Sequence, residues 1–264
     1  MTEWAKRLNL QSVKKPELNQ LVLNYLIFEG YESTAVKFAK EIGIDLESSD
    51  NIAYDGITSI EFRKEIKLSL LNGDIQLVID KLKFEYPDLL EKNQFLHFKL
   101  LLLNLIEMIK SHNEENRTVD SGDKDEFILS IIDFARKKLA NKALKNSKFM
   151  EELELTMTLL LYSNNEQNEK LPDKLKELLE SKLRKDIAGL INKAIILENV
   201  PHLLDFNTED QDNSTEDRND DESENFYHNN QLIDSNLKKL IKLWLWGENQ
   251  LGDYKEGEFK KFDI

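Results

Sequence analysis

Four histidines, His97, His112, His202 and His228, are the side chains best suited to move a proton near neutral pH or to hold a metal. None stands in an HExxH or H-x3-H spacing, so zinc hydrolysis has no motif to rest on. His97 leads into an apolar stretch with no partner beside it in sequence, which fits a hydrogen-bonded packing residue better than a buried acid–base. The other three lie in polar or linker context and read as surface residues. Carboxylate pairs such as Glu151–Glu152 are abundant, and abundance makes each uninformative. There is no cysteine, which removes thiol nucleophiles, thioester relays, thiolate metal sites and disulfides. Glycine-rich phosphate loops and nucleophile elbows are absent as well. We therefore assign no catalytic residue, no metal and no cofactor, and look to binding instead.

Residues that bind rather than react need elements to present them. The chain has 264 residues, 40% hydrophobic and 33% charged, with only 9 Gly and 4 Pro to break it. That profile predicts an all-α protein with enough length for one or two domains. The net charge of −14 is unevenly spread. Asp205–Glu224 holds ten acidic residues against one basic one, Arg218, and carries −9 of it. Residues 205–230 have almost no core formers and are predicted to be a disordered, solvating insertion. Ser214, three residues before Asp217, resembles an acidophilic kinase site only weakly. No basic patch supports nucleic-acid binding. The most apolar window, Phe95–Ile109, is too short to span a bilayer, and MTEWAKRLNL has no signal-peptide character. The sequons at Asn116 and Asn213 are read as unused.

Helical periodicity runs along most of the chain. Leu18, Leu21, Val22, Tyr25 and Leu26 fall on one stripe of a first helix, with Pro16 in its first turn. Gly30 stands where a left-handed residue would close it. Ser33 is placed to cap a second helix with Ala35, Phe38, Ala39 and Ile42 inward, ended by Gly43. Two such short helices cannot bury enough area against each other alone, so the hairpin needs a partner surface.

Further on, Thr58 and Glu61 have capping-box spacing before Phe62, Ile66 and Leu70. Asn72-Gly73 ends that helix, and Asp74 is placed to cap the next, with Leu77, Val78 and Leu82 as its stripe. QFLHFKLLLLNLIEMIK is apolar on nearly every face and belongs at a bundle's centre. Glu126–Ala140 should turn Phe127, Ile128, Ile131, Ile132, Ala135 and Leu139 inward, and Phe149–Leu161 should do so with Leu153, Met157 and Leu160. Leu171–Glu198 reads as one long or broken helix. In the last helix Leu237, Leu240, Ile241 and Trp244 share a face while Leu243 and Trp246 point elsewhere. A core helix and a partner-binding helix explain that pattern about equally well.

Leu21, Tyr25-Leu26, Gly30-Tyr31, Thr34-Ala35, Phe38 and Glu41 together resemble the LisH motif. Phe62, Arg63, Ile66, Gly73-Asp74-Ile75, Pro87, Leu89-Leu90 and Phe98 resemble the CTLH module, and the remainder through Trp244 and Glu248–Leu251 resembles the CRA module. The chain is divided accordingly into a lead-in (1–15), LisH (16–49), CTLH (56–114) and CRA (115–264). The order of the three is similar to the fungal glucose-induced-degradation protein eight family, a subunit family of the GID/CTLH E3 ubiquitin ligase.

That resemblance implies a non-catalytic scaffold, cytoplasmic and nuclear, that joins catalytic and substrate-receptor modules so that gluconeogenic enzymes reach the proteasome. It implies a homo- or heterodimer through LisH, and partners among RING-type, armadillo-repeat and SPRY-domain subunits. On this reading the partner-binding residues are Leu21, Tyr25, Leu26, Gly30, Tyr31, Ala35, Phe38, Trp244 and Trp246, with no nucleic acid and no membrane involved. The competing expectation is a homodimeric LisH adaptor unrelated to ubiquitin.

Overall fold

The computed structural model describes residues 14–46, 56–115, 124–162, 171–200 and 233–253. Residues 1–13 of the lead-in, the acidic insertion with Ser214, both sequons, His202 and His228 fall outside them. Helices make up the described chain and no strand occurs among its residues. It separates into two compact units, Met1–Glu61 with Ile233–Ile264, and Phe62–Leu232.

The first unit holds α1 (Lys15–Phe28) and α2 (Glu32–Ile42). Pro16 sits in the first turn of α1, where its missing N–H costs nothing. Gly30 (φ 75°) and Gly43 (φ 76°) are both left-handed, so each helix ends where a residue without Cβ can turn the chain. Ser33 is not the cap it was expected to be. The helix has already begun at Glu32, and Tyr31 occupies the N-cap position without a side-chain bond. Leu23, Ile27, Ala35, Ala39 and Ile60 form this unit's core, with Leu26, Phe38 and Ile42 packed against it.

The second unit is built around one helix. α3 (Ile60–Asn72) and α4 (Ile75–Glu85) meet at Gly73, whose φ of 94° makes the tight reversal. The expected capping box at Thr58 does not form. α3 starts at Ile60, and the Ser59 hydroxyl donates to the Gly56 carbonyl (3.4 Å). Asp74 does hold the N-cap position of α4, but its side chain makes no capping bond.

After the short α5 (Leu89–Lys92) comes α6 (Gln94–Glu115). Phe95, Leu96, Phe98, Leu100–Leu103, Leu105, Ile106 and Ile109 are all buried, which is how an all-apolar helix must be placed. Around it pack α7 (Lys124–Phe134), a π-helical turn (Ala135–Leu139), α8 (Ala140–Ala143), α9 (Ser147–Tyr162), α10 (Asp173–Leu179) and α11 (Ser181–Asn199). The stretch from Leu171 breaks at Glu180, whose ψ of 146° is extended, so it forms two helices. Leu77 and Ile132, expected inside, are exposed; Ile75 and Ile79 are buried on α4, and Ile131, expected inside, is buried on α7.

Polar ties hold this bundle where apolar packing cannot. Arg184 on α11 donates through Nε to Glu107 Oε1 (2.9 Å) and through Nη2 to Oε2 (2.5 Å), a paired fork. Its Nη1 reaches the Leu71 carbonyl (2.8 Å), satisfying an acceptor at the C-terminal end of α3. A Cβ at Gly73 would stand 3.0 Å from Arg184 Nη2, so the glycine also makes room for this fork. Buried Arg63 donates to Asn192 Oδ1 at 2.7 Å and ties α3 to α11. Phe98 stacks on Phe149, centroids 4.1 Å apart and rings 6° from parallel, which joins α6 to α9.

Candidate partner-docking surface

In α1 the two sides divide the labour. Leu23 and Ile27 face the core at 0% and 1% exposure, whereas Leu18 and Val22, on the stripe expected to pack, are exposed at 50% and 37%. The helix is apolar on both sides, so its periodicity marked a stripe without saying which stripe the fold would use. The side left outside is the one with Leu18, Leu21, Val22 and Tyr25, in i, i+3, i+4, i+7 spacing.

The C-terminal helix, α12 (Asn236–Asp253), packs on α1 within the same unit. Its start is fastened by polar groups. The Asn236 N–H donates to Asn24 Oδ1 (3.1 Å), and Lys238 Nζ donates to Glu29 Oε1 (2.6 Å). Asp234, nearly buried, pairs with Lys242, and Ser235 Oγ accepts from the Lys238 N–H (3.3 Å). Burial opposes the charge on Lys238, yet its hydrogen bond and attraction to Glu29 hold its pKa above the ordinary lysine value.

Beyond this anchor the helix carries a run of exposed large apolar side chains. Leu240, Ile241, Leu243, Trp244, Leu245 and Trp246 are all exposed, Trp246 at 62%. The core-helix reading of this segment is therefore wrong.

The nine proposed binding residues split into two groups. Ala35 is fully buried, Leu26 and Phe38 pack on the small core, and Gly30 supplies the turn. These four build the hairpin. Leu21 and Tyr25 are half-buried, and Tyr31, Trp244 and Trp246 are exposed, so these five can meet a partner. The Tyr25 and Tyr31 rings approach to 6.3 Å. Partial burial and the negative neighbours Tyr31 and Glu29 push the Tyr25 phenol above its usual pKa. Leu18, Val22, Leu240, Leu243 and Leu245 belong to the same exposed set and were not among the partner-binding residues read from sequence. Their signal was surplus: more apolar positions than one stripe requires.

His97 is held down to a pKa of about 4, first by burial and then by the charges of Lys142, Lys83 and Lys138, so it stays neutral at physiological pH. His112, read as a surface residue, is buried and stacks on Phe127 with centroids 3.7 Å apart. A polar neighbourhood in sequence hid an apolar one in space. Among the described residues no group of His, Asp and Glu could hold a metal ion, and no helix is long and apolar enough to cross a membrane.

Comparison with known proteins follows the same two units. A family described as LisH matches residues 16–42, and one described as CTLH/CRA C-terminal to LisH motif domain matches residues 59–201. GID complex subunit 8 of Saccharomyces cerevisiae is 35% identical over 213 residues, covering 69% of this chain and 46% of the relative. The chain thus spans under half of that relative's length. The glucose-induced degradation protein 8 homolog of Dictyostelium discoideum is 34% identical, covering 74% of this chain and 75% of its own length. GID complex subunit 8 of Schizosaccharomyces pombe is 32% identical, covering 76% and 79%.

Proposed function

The chain belongs to the glucose-induced degradation protein 8 family, and from that membership we propose that it is a non-catalytic scaffold subunit of a GID-type ubiquitin ligase complex. The observation that carries the scaffold role is the bare apolar surface of the first unit. Trp244, Trp246, Leu240 and Leu243 are exposed on a helix whose start is fixed by Asn24 and Glu29. An anchored helix presenting tryptophans in water has the composition of a binding hot spot.

In this reading the hairpin and α12 dimerise with a second LisH-bearing chain, of the same or another kind. RING-type, armadillo-repeat and SPRY-domain subunits are the proposed partners, with gluconeogenic enzymes as the complex's targets and the cytoplasm and nucleus as its place of action. None of the 264 residues is a cysteine, so none can carry a ubiquitin thioester or ligate a RING zinc through thiolate.

Affinity purification of the tagged chain, followed by mass spectrometry, tests the proposal. RING and armadillo-type subunits should co-purify under mild salt, and removing residues 232–264 should release the partners that use α12. Recovery of the chain by itself would refute the scaffold role.

A further inference from the structure

No basic patch was expected, yet five lysines line one cavity of the fold. In the second unit, α4, α6 and the α7–α8 segment surround a cavity of about 390 Å³. Lys83, Lys137, Lys138, Lys142 and Lys145 line it, together with His97. Ile79, Leu101 and Phe134 give it apolar walls. Two of the lysines ride on the π-helical turn Ala135–Leu139, a local widening that recurs at functional sites.

Five ammonium groups around one cavity are unusual in a chain of net charge −14. Their compensation is thin. Lys137 pairs with Asp133 at 2.6 Å on an exposed edge. Lys142 Nζ donates to Gln94 Oε1 (2.5 Å), a neutral acceptor. Lys83, Lys138 and Lys145 have no carboxylate partner among the described residues. Burial, and then repulsion from Lys145, depresses the Lys142 pKa.

We propose that this cavity binds a compact anion bearing two or more phosphate groups, its phosphates met by Lys83, Lys138, Lys142 and Lys145 and its organic part, if any, by Phe134 and Leu101. Lysine ammoniums are compact point charges well suited to phosphate oxygens. The volume falls in the range of small-molecule pockets rather than of a flat peptide-binding face. Neutral His97 leaves an uncharged hydrogen-bonding group among the cations. This site is independent of the assembly role proposed above.

Calorimetric titration of the full chain at low salt tests the site, with inorganic tripolyphosphate, magnesium-free ATP and inorganic phosphate as probes. Tripolyphosphate and ATP should each bind saturably, one per chain, and inorganic phosphate more weakly. ATP binding more tightly than tripolyphosphate would mark an organic phosphate as the ligand; equal binding would mark polyphosphate alone. The double variant Lys138→Gln/Lys145→Gln should weaken binding about tenfold or more, as loss of two charge-assisted contacts predicts. Lys174→Gln/Lys185→Gln, on exposed positions of α10 and α11, should change it less than about twofold, the size of a screened distant charge.

A second readout comes from His97 by NMR. Saturation should move its pKa upward from about 4, because the anion offsets Lys142, Lys83 and Lys138. Absence of saturable binding, or equal losses in both lysine doubles, would overturn the proposal. So would tighter binding by a synthetic peptide of residues 205–224, which would make the cavity a dock for acidic peptide instead.

Discussion

The two units spend their apolar residues in opposite ways. The bundle wraps α6 so fully that Phe98, Leu100, Leu105 and Ile106 have no exposed surface. The hairpin unit buries Leu23, Ile27, Ala35, Ala39 and Ile60, two of them alanines, and leaves six large apolar residues of α12 in water. Each buried square ångström contributes about 25 cal/mol, so a core with two alanines yields little. The bundle exposes apolar side chains too, Phe84, Leu144 and Leu161 among them, but they are spread over several helices, whereas those of the hairpin unit are concentrated on α12. The contrast assigns stability to the bundle and association to the hairpin unit, and each of the following measurements can break that assignment.

The largest effect should come from Phe98→Ala. Phe98 is fully buried and stacked on Phe149, so truncation opens a cavity in the bundle and should cost about 3–5 kcal/mol. Denaturant unfolding followed by circular dichroism reads this loss. A cost near zero would show that the bundle's core is not what holds it.

Next is the fork between Arg184 and Glu107. Arg184→Ala leaves a carboxylate that is 12% exposed without its main partner and should cost about 3 kcal/mol. Burial alone would raise the Glu107 pKa, but the Arg184 hydrogen bond and the nearby Lys110 outweigh it and set it below its ordinary value of 4.5. A depressed native pKa contributes stability that is present above that ordinary value and is lost as pH falls through the depressed one. The native bundle should therefore lose stability on acidification below about pH 4.5. Arg184→Ala should show a weaker acid dependence of stability, since its carboxyl no longer gains from ionising. An identical pH slope in both proteins would remove the fork from the account.

How much of this was legible follows the physics of each signal. The all-apolar run from Phe95 placed α6 correctly because a helix with no polar face has only one solution. Gly30 and Gly43 marked the helix ends because left-handed backbone has few other occupants. The side of α1 that packs was not legible. Leu18–Val22 and Leu23–Ile27 are both apolar, and it is the packing of Leu23 and Ile27 on Ala35, Ala39 and Ile60 from other helices that distinguishes them. His112 was misplaced for a related reason, since Phe127 stacks on it from another helix. Four of the cavity's five lysines stand together in Lys137–Lys145, but that run read as the solvated face of a helix, and only the fold brings Lys83 and His97 to it.

Gly30→Val probes the hairpin directly. A β-branched side chain at φ 75° is strained and should cost about 1–2 kcal/mol, borne by the hairpin. Association, measured by light scattering or pull-down of partners, should fall before bundle unfolding shifts. Leu26→Asp, which puts a carboxylate against the small core, should act in the same direction. If both variants associate normally, the hairpin serves only its own chain.

Trp246→Ala should be the smallest perturbation of stability and the sharpest test of the comparison. The side chain is 62% exposed, and exposed substitutions away from caps and networks change stability by no more than about 0.5 kcal/mol. The helix start, fixed to Asn24 and Glu29 through Asn236 and Lys238, is about two turns or more away and should persist. Binding is another matter. A tryptophan at the centre of an interface can cost about 2 kcal/mol or more when truncated, roughly thirtyfold in affinity. The expected result is an unchanged denaturation midpoint together with a marked loss of partner capture or self-association. The reverse pattern, a destabilised chain that still associates, would mean that α12 supports the fold and that the partner-binding surface lies elsewhere.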